Sequence, residues 1–139
     1  MKRTSVLSLA ALVALALFAG LTYAVLRVAR VAEPAATTIQ GPTARRLWAT
    51  TVVVLALTGV IAGALGLARP TGRFAAVSWR RGIVLAGVIA AINGGFVLVL
   101  ANGGPGSGNG VVGGAAALVL GLAAVVLGGF GLARSRTSV

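Results

Sequence analysis

Four runs of the chain, at residues 6–26, 48–68, 83–101 and 111–133, contain no charged side chain. Each is close to the ~20 residues that an α-helix rising ~1.5 Å per residue needs to cross ~30 Å of hydrocarbon. Inside a bilayer no water satisfies backbone amides and carbonyls, so only helices and closed barrels can span it. A membrane barrel needs at least about eight strands that alternate apolar and polar residues. These runs are apolar on every side. The pattern therefore predicts an all-α, polytopic transmembrane bundle of four helices, or three if the first run is a cleaved signal.

The remaining residues fit the same solvent. Hydrophobic residues make up 58% of the 139, charged residues 9%, and the mean hydropathy is +1.05, which leaves too little charge for the hydrated shell of a water-soluble domain. Twelve Lys and Arg face one acid, Glu33, for a net charge of +11. In a soluble chain that surplus would suggest nucleic acid. Here the cations lie in short clusters between apolar runs, which suits anionic headgroups and topology signals, and no nucleic-acid partner is expected.

Basic residues resist translocation, so their distribution predicts orientation. With four spans, both termini and the middle loop share a side. That side carries Lys2, Arg3, Arg69, Arg73, Arg80, Arg81, Arg134 and Arg136, against Arg27, Arg30, Arg45 and Arg46 on the other. The expected setting is a multi-pass protein of a bacterial plasma membrane with a cytoplasmic C-terminus. Trp79 and Trp48 fall where aromatic belts would sit on the inner and outer faces. The chain divides into a signal-like segment or first helix (1–26), an extracytoplasmic linker (27–47) and a three-helix membrane domain (48–139).

The first segment, "MKRTSVLSLAALVALALFAGLTYA", has the basic start, apolar centre and small terminal residue of a secretory signal, with Ala24 as the cleavage candidate. Arg27 and Arg30 would then stand just past the cut, where positive charge opposes export, which favours an uncleaved anchor.

Two of the spans carry seams of small residues. Gly114, Ala117, Gly121, Ala124, Gly128 and Gly131 recur at alternating spacings of three and four, and Ala49, Val52, Ala56, Gly59, Gly63 and Gly66 do the same. Lipid tails supply no hydrophobic drive for helices to associate, so close backbone approach across small residues must supply it. Gly59, Gly63, Gly66, Gly114, Gly121 and Gly128 are the candidate helix-packing residues. Segments 55–69 and 120–134 also match at eight of fifteen positions when offset by 65, a weak parallel repeat.

The third span is small on a broader face, with Ala86, Ala90 and Gly94 on one ridge and Gly87, Ala91 and Gly95 on the next. Asn93 lies on that face near mid-span. Leaving its amide unsatisfied in lipid costs about 2 kcal/mol or more, so it is expected to point inward. It is a candidate interhelical hydrogen bond, to Thr58 or a backbone carbonyl, and alternatively a pore residue whose neighbours Gly94 and Gly95 loosen the helix.

Between the last two spans lies "NGGPGSGNGVVGG", residues 102–114. It contains a literal GxGxxG, but no strand precedes it and no acid follows about 20 residues on, so a dinucleotide fingerprint fails on context. A carbonyl-lined ion filter needs more than the nine residues left once both flanking helices are complete. Asn-Gly and Pro-Gly pairs instead predict a tight, uncharged outer turn.

Catalytic chemistry has few candidates. Without Cys or His there is no thiolate nucleophile, zinc site or imidazole base, and one acid cannot form a carboxylate pair. Hydroxyl nucleophiles in the spans lack an activating base. No enzyme activity, cofactor or metal is expected. The stretch 69–82, rich in Arg with one Trp, suits anionic headgroups or a stop-transfer cluster.

The stretches "RRLWAT" (45–50), "INGGFVL" (92–98), "GGPGSGNGVVGG" (103–114) and "GLARSR" (131–136) resemble a family of small integral membrane proteins from high-GC, Streptomyces-like bacteria that is catalogued as a domain of unknown function. The resemblance covers roughly the last hundred residues. It implies membrane location and transfers no catalytic residue. Two functions stay open: a non-enzymatic structural or accessory protein that packs through its seams, with itself as a homo-oligomer or with another membrane protein, and a small oligomeric pore or permease with Asn93 at its constriction.

Overall fold

The computed structural model describes residues 3–69, 71–73 and 76–137, with Arg3 described by its backbone alone. The secondary-structure elements among the described residues are four helices: α1 (Arg3–Val28), α2 (Ala44–Ala68), α3 (Val77–Val99) and α4 (Val111–Thr137). All four are long and apolar enough to cross a membrane. The helices overrun the apolar runs at most ends, because flanking residues such as 44–47 and 77–82 continue the hydrogen-bonded ladder beyond hydrocarbon length. Thr43 caps α2, its Oγ1 accepting from the Arg46 amide at 3.2 Å.

Packing inverts the pattern of a water-soluble protein. Ala49, Ala56, Ala90, Ala115, Ala117 and Ala124 are buried, and Val111 is the largest side chain fully enclosed, while Leu12, Leu15, Leu85, Phe96 and Phe130 face outward. Small residues let the helices meet, and large ones meet the surrounding apolar medium.

Helix α4 is the centre of the bundle. It packs between α2 and α3 along its length and meets only the end of α1. There Leu26 and Val31 form a small core with Leu98, Val111 and Ala115. The N-terminal turns of α1 stay exposed, from Val6 to Leu17. Two ends of the bundle result. The linker end holds residues 29–43 and the glycine-rich loop. The arginine end holds the described residues of the α2–α3 loop and the last turn of α4; Lys2 and the Arg3 side chain lie outside the described residues.

The seams, the linker-end cap and the arginine end

All twelve residues of the two predicted stripes are buried. A Cβ added to Gly59 would lie 3.2 Å from the Ala124 Cβ, and one on Gly63 would lie 2.9 Å from the Leu127 Cβ. Gly59 and Ala124 are the equivalent positions of the 65-residue repeat, so parallel copies meet level with each other. The two stripes meet within a single chain through the alanines of α4, Ala124 against Gly59 and Ala117 in one core cluster with Val52 and Ala56, whereas Gly114, Gly121, Gly128 and Gly131 turn toward α3.

Antiparallel α3 approaches α4 more closely still. A Cβ on Gly87 would lie 2.6 Å from the Gly121 carbonyl oxygen, and one on Gly121 would lie 2.6 Å from that of Gly87. Gly94 stands in the same relation to the Gly114 carbonyl, at 2.5 Å. Each helix thus presents a carbonyl where a side chain would otherwise sit, which brings Cα–H groups against oxygen acceptors and maximises dispersion contact. Gly128 receives Val84, with its Cβ position 2.7 Å from Val84 Cγ2.

The hydrogen bond expected of Asn93 across helices is not formed. Its Nδ2 donates at 2.8 Å to the Ile89 carbonyl, one turn back on the same helix, and Thr58 Oγ1 donates at 2.8 Å to Val54 O. Backbone carbonyls one turn away are always within reach, so each of these donors finds a local acceptor. Asn93 is half-buried on the flank of α3, next to the buried Gly94 of the α4-facing seam. Gly95 faces open space.

The glycine-rich loop does more than turn the chain. The Ala35 amide donates to Pro105 O at 2.8 Å, the Ile39 amide to Gly106 O at 2.9 Å, and Thr43 Oγ1 to Gly108 O at 2.5 Å. Arg45 Nη1 reaches Leu100 O and Asn109 Oδ1, both at 2.9 Å, while Asn109 Nδ2 braces the loop on Asn102 O at 2.8 Å. Gly103, Gly106, Gly108 and Gly110 have positive φ, and a Cβ on Gly104 would land on the Glu33 carbonyl. Glycine is needed here for turning and for letting the linker lie on the loop. Carbonyls that an ion filter would use are instead acceptors for the linker. Glu33 stays exposed, 4.0 Å from Arg27.

Arg80 is the residue that sequence reasoning placed differently. Read as part of a headgroup-facing cluster, it is buried between α3 and α4, and its Nη1 donates to the Gly131 carbonyl. Its stem covers Gly131, whose Cβ position is 3.1 Å from Arg80 Cδ. Arg80 Nε and Thr22 Oγ1 are buried side-chain atoms without a hydrogen-bond partner. Pro70, Phe74 and Ala75 of the same basic stretch lie outside the described residues.

Two open grooves separate α2 from α3. The one at the linker end, about 280 Å³, runs between Arg45, Trp48, Phe96 and Leu100. A larger one at the arginine end, about 490 Å³, runs between Leu55 to Ala62 on α2 and Trp79 to Ala86 on α3, with Arg73 and Ser78 at its mouth.

Four membrane-length helices, small-residue seams and outward-facing large apolar side chains define a multi-pass helical protein of the kind that packs by close backbone approach. The chain belongs to the family of unknown function DUF6223, whose model matches residues 44–139. The match begins at the first residue of α2 and covers the three-helix unit with its glycine-rich loop, leaving α1 and most of the linker outside it. No curated protein and no solved structure matches the chain.

Proposed function

We propose that this chain is a non-enzymatic accessory protein of a bacterial plasma membrane, with both termini cytoplasmic, acting through contacts with lipid and with further membrane protein. The observation that carries this reading is the closure of the seams by backbone contact: a conduit along the bundle axis would need space where Gly87 and Gly121 touch. Support also comes from the Asn93 amide, tied to its own helix, and from the loop carbonyls occupied by the linker. The excess of arginine at one end supports the orientation.

The test is ion and solute flux through proteoliposomes holding the purified protein, with Asn93→Leu as the matched control. Flux no greater than that of empty liposomes is expected from both. Flux lost specifically in Asn93→Leu would replace this reading with an oligomeric pore formed between copies.

A further inference from the structure

The side chain of Asn93 is only half satisfied. Its Nδ2 directs one of two hydrogens to the Ile89 carbonyl, at 2.8 Å, and Oδ1 accepts no hydrogen bond among the described residues. Nor is Oδ1 enclosed, since the buried side-chain atoms without a partner are Thr22 Oγ1 and Arg80 Nε. One amide donor and one amide acceptor thus stay open near the middle of the apolar run 83–101. Hydrocarbon supplies neither, so protein must.

The surface around Asn93 is patterned. Gly82, Ala86, Ile89, Asn93 and Phe96 recur at spacings of four and three, which sets them on one stripe of α3 ~21 Å long. None of the five is buried. Gly82 and Ala86 line the larger groove beside α2 and Phe96 the smaller one, so the stripe joins the two grooves with Asn93 between them. A Cβ on Gly82 would meet nothing within 4 Å, so the stripe alternates bulk at Ile89 and Phe96 with open space. Its 3.5-residue period is that of a coiled-coil seam, with Asn93 at an a-type position and Ile89 and Phe96 at d-type positions. The other exposed side of α3, with Leu85, Ile92 and Val99, is apolar, as contact with lipid requires.

An amide with one free donor and one free acceptor is complementary to an identical amide. Two Asn93 side chains brought together by a two-fold axis, where each residue meets its own copy, close both with a pair of reciprocal bonds. The exposed hydroxyls of α2 lack this property: Thr51 and Thr58 donate their only protons to Leu47 O and Val54 O, so each keeps acceptors alone. We propose that α3 pairs in parallel with α3 of a second copy along this stripe, Asn93 to Asn93. A single polar residue at an a-type position fixes the register of such a pair. The pairing rests on the proposed accessory role and names its protein contact; flux and association are measured separately, so either can fail alone.

The full chain, carrying a donor or an acceptor fluorophore at its C-terminus, is reconstituted in liposomes, and energy transfer is followed as the protein is diluted in lipid. A monomer–dimer transition is expected. Asn93→Leu should weaken it about fivefold or more, and Asn93→Gln, which keeps donor and acceptor, should retain most of it. A second readout leaves Asn93 in place and uses the absence of native cysteine: under mild oxidation in membranes, Ile89→Cys should give a disulfide-linked dimer, and Ile92→Cys, exposed but off the stripe, should not. A monomer at every dilution, equal association of wild type and Asn93→Leu, or linkage through Ile92→Cys as efficient as through Ile89→Cys would each overturn the proposal.

Discussion

Arginine 80 and its neighbour Arg81 share a sequence context and differ in every structural respect. Arg80 is buried over Gly131 and bonds its carbonyl, whereas Arg81 is exposed. Arg80→Ala removes a charge-assisted hydrogen bond and the packing of a long apolar stem, for a loss of about 2 kcal/mol. Arg81→Ala should change stability by no more than about 0.5 kcal/mol. Denaturation of both variants in micelles, followed by circular dichroism, measures the difference. Nothing within "SWRRG" distinguishes the two, but Arg80 extends the three-and-four spacing of Ile83, Gly87, Ala90 and Gly94, the buried stripe of α3, and Arg81 does not. The seam glycines were legible from the same pattern: spacing of three and four places small residues on one stripe, and a stripe of small residues in a bilayer has one main use. Asn93 was legible as a polar exception, but its partner was not, since a local carbonyl competes with any cross-helix acceptor.

At the scale of elements, the linker and the glycine-rich loop form one unit that neither sequence alone suggests. Their principal bonds run from backbone amides of Ala35 and Ile39 to backbone carbonyls, which leave no side-chain signature. Thr43 was the available clue, a capping residue after Pro42 a few residues ahead of the apolar run at 48–68. Gly104→Ala cannot be accommodated while Glu33 keeps its place, so the cap should detach. Amide exchange at Ala35 and Ile39 is then expected to accelerate about tenfold or more, while exchange within α2–α4 stays slow. Gly41→Ala, at a loop position with positive φ but open surroundings, should strain the linker without displacing it from the loop. Hydrogen exchange of the two variants separates docking from turning.

For the whole molecule, the four membrane-length helices followed from hydrophobic length alone, because the bilayer fixes how long an apolar segment must be. Orientation should show in cysteine labelling: in right-side-out vesicles an impermeant maleimide is expected to modify Thr37→Cys and to spare Thr71→Cys. Labelling of Thr71→Cys instead would invert the proposed topology. The relation of the helices to each other rests on the glycine contacts, and stability of the bundle tests them. Gly121→Ala places a methyl 2.6 Å from Ala91 N and the Gly87 carbonyl, whereas Gly129→Ala places one in open space on the same helix. Both gain about 1 kcal/mol of helix propensity, and overpacking costs the first about 1–3 kcal/mol and more where the contact is backbone. The most direct measurement is therefore the unfolding free energy of this pair in one detergent. The account predicts loss of stability in Gly121→Ala and none, or a gain, in Gly129→Ala. Equal effects in the two would mean that α3 and α4 do not meet through their backbones, and the closed bundle would have to be abandoned.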